Sequence, residues 1–161
     1  MAKIAQAIRK GLQIRTFPYS KKNGTAYHWT YVLRAKDPKK RELIAQCMES
    51  AVRKKKLIKY SNESKKNAKL YDAVKGKKFN PKRLTKHTTT NCCNLVSVAC
   101  NYAGIDTPRK CSATTLPQKW AKAYPDDFWL FKYKKGVTRL KRGDILDANE
   151  KPKVHTAVYL G

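Results

Sequence analysis

The segment Asn91-Cys92-Cys93-Asn94-Leu95-Val96-Ser97-Val98-Ala99-Cys100-Asn101-Tyr102-Ala103 sets two cysteines at the first turn of an apolar helix that Gly104 stops. A helix start has unpaired backbone N–H groups and the positive end of the dipole, so a thiol there is expected to have a lowered pKa and to act as a nucleophile. Further along, Val154-His155-Thr156-Ala157-Val158-Tyr159-Leu160 opens an apolar strand with a histidine. Thiol and imidazole brought together perform acyl transfer: the imidazole takes the thiol proton, sulfur attacks a carbonyl, and the imidazolium protonates the leaving amine. Cys92 lies three and four residues before Leu95 and Val96, on the inward side of the helix at its exposed end. Cys93 is rotated away by roughly a third of a turn. The pattern favours Cys92 as nucleophile; the plain alternative is that both cysteines only pack. His155 is the best placed of the three histidines, because His28 falls among aromatics that read as packing and His87 lies in a basic polar loop.

The same cysteines admit a second chemistry. Cys92, Cys93, Cys100 and Cys111 with His87 would be enough ligands for zinc. No C-x-x-C pair is present, however, and adjacent cysteines rarely reach one tetrahedral ion, so no metal and no other cofactor is expected.

The elements that must position this pair can be read around it. Residues 2–10 carry Ile4, Ala5 and Ile8 and read as a short helix ending at Gly11. Residues 12–34 combine Pro18, Asn23-Gly24 and the aromatics Phe17, Tyr19, Tyr27, Trp29 and Tyr31, which predicts short strands and turns, with Tyr27 to Leu33 the best strand. Asp37-Pro38 opens a helix as N-cap and first helical residue. Its apolar stripe is Leu43, Ile44, Cys47, Met48, Ala51 and Val52, with Cys47 a core residue, and it ends in Arg53-Lys54-Lys55-Lys56. A helix over about 62–75, a polar loop over 77–90, an irregular stretch over 105–139 with a helix near Leu116 to Tyr124, and strands at Leu140–Leu146 and His155–Leu160 joined by a turn at 149–153 complete the reading.

With 161 residues the chain can bury about two-thirds of its surface, enough for one ordinary core. Its 37 basic against 11 acidic residues give a net charge of +26, a field that attracts nucleic acid, anionic membrane or anionic wall polymers. Solubility is the bland use of those lysines. Nucleic-acid binding has the charge and the tyrosines in its favour but no recognisable motif. No stretch approaches the ~20 apolar residues of a membrane span. Met1 to Leu12, with Lys3, Arg9 and Lys10, does not read as a secretory signal. An odd count of five cysteines favours reduced thiols in a cytoplasmic product.

At these residues the chain resembles the NlpC-type papain-like cysteine peptidases, relatives of the CHAP amidase domains. Their D-C-S-G/S-L-V helix, G-D strand and H-V-G-I-Y strand correspond to Asn91-Cys92-Cys93-Asn94-Leu95-Val96, to Gly143-Asp144 within Leu140–Leu146, and to His155-Thr156-Ala157-Val158-Tyr159. The chain is similar in particular to phage and prophage members from Gram-positive gut bacteria, through Trp29-Thr30-Tyr31-Val32-Leu33-Arg34-Ala35-Lys36-Asp37 and Ile58-Lys59-Tyr60-Ser61.

The resemblance implies an α+β, papain-like fold with the nucleophile helix packed on a small antiparallel sheet. Residues 57–161 would form the peptidase domain and 1–56 a strand/helix extension packed on it. The implied function is an endolysin that cleaves an amide or isopeptide bond of peptidoglycan, or of another anionic wall polymer, with Cys92 and His155 catalytic. Such a protein would be made in the cytoplasm, act on the wall after release, and work as a monomer. Tyr60, Asn91 and Cys93 become candidates for substrate or oxyanion contacts. In that family a third polar residue orients the histidine from the strand after it, whereas this chain stops at Gly161. A truncated C-terminus or a substitute from elsewhere, with Asp144 and Asn149 as candidates, follows from the likeness. The rival class is a basic nucleic-acid-binding or virion structural protein on a degenerate peptidase fold.

Overall fold

A computed structural model describes residues 1–18, 27–150 and 153–161. The fold is α+β. Among the described residues six strands form one sheet in the order β2-β1-β8-β7-β3-β6, with every pairing antiparallel. They span Lys3–Ile8 (β1), Gly11–Thr16 (β2), Tyr31–Ala35 (β3), Phe128–Lys132 (β6), Ile145–Ala148 (β7) and His155–Tyr159 (β8). Ile58–Tyr60 (β4) and Thr88–Thr90 (β5) make a separate parallel pair. The segment read as an extension thus supplies half of the main sheet.

Residues 2–10 do not form the helix expected of them. They are β1 and the turn of a hairpin whose register sets Ile8 opposite Gly11. Gly11 takes φ +104, a conformation that suits glycine at the tight return. A run this short cannot sustain a helix by propensity alone, and β1 instead finds ladder partners on both sides, β2 and β8. Alternation then sends Ala5 and Ala7 into the main core and Ile4 into a second cluster with Trp29, Val32 and Leu146.

Pro38–Arg53 (α1) begins where the sequence indicated: the Asp37 carboxylate accepts from the Lys39 N–H at 2.8 Å, and Pro38 occupies the first turn. Ile44, Cys47, Met48 and Ala51 are buried. The Cys92–Tyr102 helix (α3) packs against α1, β8 and β1, so both helices cover one face of the sheet. Lys69–Lys75 (α2) is shorter than the stretch anticipated, and Leu116–Ala123 (α4) lies close to where it was expected.

Three further differences come from long-range pairing that local patterns do not reveal. Thr88–Thr90, read as loop, is β5, held by β4. Phe128–Lys132, read as irregular, is an edge strand on β3. The expected Tyr27–Leu33 strand is shifted to Tyr31–Ala35. The Asn23-Gly24 turn and Tyr19 lie outside the described residues, as does part of the turn at 149–153.

Gly143-Asp144, just before β7, is fixed by close packing. Gly143 has φ +88, and a Cβ there would sit 2.1 Å from the carbonyl oxygen of Arg41 in α1. Asp144 is fully buried and accepts two bonds of 2.7 Å from the fork of Arg34 in β3. Only a residue without a side chain lets helix and sheet approach this closely.

Candidate active site

The site is built from three elements. Cys92 is the first residue of α3, and His155 the first of β8, opposite Ala148. The start of α3 is held firmly. The Asn91 side chain accepts from the Asn94 N–H at 2.9 Å as N-cap, Asn94 donates to the carbonyl of Asn67, and the Cys111 N–H donates to Asn94 Oδ1, both at 2.9 Å. Cys92 is 8% exposed and His155 3%.

His155 lies close enough that its hydrogen bond and its charge both pull the Cys92 pKa down. They do not prevail. Hydrogen bonding with Cys93, followed by burial, pushes the Cys92 thiol above its usual range. The lowered pKa expected from the helix start is therefore corrected: the Cys93 hydrogen bond and then burial outweigh the pull of His155. The sulfur is held as a neutral thiol.

The imidazole has a partner that the sequence did not disclose. His155 Nε2 lies 2.8 Å from Oε1 of Gln6, a residue of β1 that is fully buried. An amide oxygen only accepts, so His155 Nε2 is the donor in this contact. Gln6 Nε2 has no partner among the described residues. The ring is also stacked on Tyr27, with centroids 4.1 Å apart, and flanked by Trp29. A lone glutamine in the apolar run Ile4-Ala5-Gln6-Ala7-Ile8 was the available signal. Reading that run as a helix hid it.

Asp144 and Asn149, the substitutes considered for a third polar residue, are engaged elsewhere. Asp144 is clamped by Arg34, and Asn149 Oδ1 accepts from the Thr30 hydroxyl at 3.0 Å. Asp147 is the unforeseen acid. It is 1% exposed, its Oδ2 accepts from Thr156 at 2.9 Å, and its Oδ1 has no partner among the described residues. Burial raises its pKa to about 8, with Thr156 opposing and the Cys92 charge adding to the rise.

The remaining candidates divide. Tyr60 pairs with Thr90, two residues ahead of Cys92, and donates to Asn62 Oδ1 at 3.0 Å. Burial first, then the Cys92 charge, pushes its pKa up to about 12, so its hydroxyl stays protonated. Asn91 spends its side-chain oxygen on the helix cap. Cys93 donates to the Cys111 carbonyl at 2.9 Å. His28 is exposed, not packed as expected, and His87 is exposed in its loop. All five cysteines are free thiols, Cys47 and Cys100 being buried in the core. Among the described residues no group of three or more His, Cys, Asp or Glu is gathered for a metal ion. No helix among them is long and apolar enough to cross a membrane.

A helix-start thiol near an imidazole that is itself held by a buried amide has the parts of a nucleophile–base–orienter set on an α+β scaffold. The family model described as "Endolysin-like domain" matches residues 9–160, and the chain belongs to that family. No curated protein sequence matches the chain, and no solved structure does. Membership in the endolysin-like family points to a phage-type lytic enzyme with peptidoglycan as its substrate.

Proposed function

We propose that this chain is a cysteine-dependent peptidoglycan hydrolase with a papain-like, NlpC-type site, Cys92 acting as nucleophile, His155 as base and then acid, and Gln6 as the residue that positions the ring. The observation that carries the reading is the His155–Gln6 contact of 2.8 Å, on an imidazole whose influence on Cys92 opposes the rise of the thiol pKa. Through its Nδ1 lone pair, the imidazole takes the Cys92 proton as sulfur attacks the scissile carbonyl. The oxyanion is met by first-turn N–H groups of α3, which have no acceptor within the helix. Collapse of the tetrahedral adduct breaks the C–N bond, and the imidazolium returns the proton to the departing amine. Water, deprotonated by His155, then attacks the thioester and frees the thiol.

Because the resting thiol is neutral, proton removal and attack are coupled, as in serine hydrolases. Gram-positive walls treated with wild type, Cys92→Ala and Cys93→Ala test the assignment. Wild type and Cys93→Ala clear the suspension, and Cys92→Ala does not. Clearing by Cys92→Ala at the wild-type rate would rule out this nucleophile. No clearing by any form, with tight salt-sensitive binding to walls or DNA, would favour the reading as a basic binding protein.

A further inference from the structure

A cavity of about 360 Å³ is lined by Arg9, Lys10, Lys55 and Lys59 over a floor that includes Leu12 and Ile58, with Tyr60 in one wall. No acidic side chain lines it, and among the described residues none of the four cations is ion-paired. Leu12 and Ile58 are buried, so the floor is apolar and firm.

Two elements of the candidate site run directly into this cavity. Arg9 and Lys10 form the turn that ends β1, the strand carrying Gln6. Lys59 and Tyr60 belong to β4, whose register sets Tyr60 opposite Thr90 and thus leads on to Cys92. Converging cations without countercharge create a positive potential, and a concavity concentrates it. Carboxylates are the anions that a guanidinium fork and ammonium groups bind through charge-assisted bonds.

Resting on the hydrolase reading above, we propose that this cavity is a substrate subsite that takes a free carboxylate of the peptide stem being cleaved, a few residues from the scissile amide. The subsite makes the enzyme selective for stems whose carboxyl groups are ionised rather than amidated.

Short synthetic stems, L-Ala-γ-D-Glu-L-Lys-D-Ala, with the D-Glu α-carboxyl or the C-terminal carboxyl either free or amidated, test this directly. For wild type, kcat/KM falls about tenfold when one of these groups is amidated, the size expected for one charge-assisted contact. In Lys55→Ala/Lys59→Ala and in Arg9→Ala/Lys10→Ala that acid-to-amide ratio collapses toward one. Equal cleavage of acid and amide by wild type overturns the proposal. So does a ratio that survives both double variants. If a glycerol-phosphate polymer competes with the stems while acid and amide are cleaved alike, the cavity takes a wall phosphate and the carboxylate assignment is wrong.

If wild type cleaves no stem, the hydrolase reading fails separately, and binding of the same stems to Cys92→Ala, measured by calorimetry, decides the subsite. About tenfold tighter binding of the acid, lost in the double variants, upholds the subsite; equal binding overturns it.

Discussion

Gln6 and Asp147 are the two residues whose chemistry follows most directly from where they are buried. Gln6 offers His155 Nε2 an amide oxygen at 2.8 Å. Gln6→Ala should leave the ring free to turn and lower kcat by roughly 10²-fold, the low end of what a placed acid–base group contributes. Gln6→Glu keeps an acceptor and adds a charge that favours imidazolium, so activity should partly return with the acidic limb of the pH–rate profile moved upward. A Gln6→Glu profile with an unmoved limb would make Gln6 a packing residue only. Asp147 keeps its proton in the folded chain up to about pH 8, against an ordinary value of 3.8. Between those values the unfolded state binds fewer protons than the folded one, so this residue makes stability fall as pH rises through that window and adds no slope above it. Asp147→Asn removes the slope. Urea unfolding at pH 5, 7 and 9 should show the variant gaining on wild type from pH 5 toward 8 and then holding level. A constant difference would mean that Asp147 ionises in the fold as freely as in solution.

At the level of elements, α1 and the return into β7 meet in a close junction. Gly143→Ala would set a Cβ 2.1 Å from Arg41 oxygen at φ +88. Left-handed strain and overpacking together cost roughly 3 kcal/mol or more, or about 10 °C in Tm for a chain of this size. A thermal scan of Gly143→Ala checks it, and an unchanged Tm would show that the helix can withdraw freely. This junction also separates what the sequence discloses from what it conceals. The Asp37-Pro38 cap, the stripe of α1, the cysteine helix and the histidine strand are local signals, written in caps and in periodicity. Asp144 stood in the sequence beside Gly143, yet its partner Arg34 lies 110 residues away and no local pattern names it. β1, β5 and β6 are strands because of what they pair with, and Gln6 became visible only once β1 was seen beside β8. The candidate pair Cys92 and His155 was legible; the buried Gln6 beside His155 was not.

Over the whole molecule the net charge of +26 acts as a single field rather than as separate contacts. Wall binding by the Cys92→Ala form should weaken steeply between about 50 mM and 500 mM salt, as the screening length shrinks to a few Å. A pelleting assay with purified walls reads this, and salt-indifferent retention would remove electrostatics from the account. The site's construction has a consequence in time as well. Gln6 and His155 are 149 residues apart in the chain. A ribosome working at about 5–20 residues per second makes the amide roughly seven to thirty seconds before the imidazole it meets. A nascent chain that has passed Tyr102 but not yet reached His155 already holds the cysteine helix and the waiting glutamine, and still lacks the imidazole that Gln6 meets.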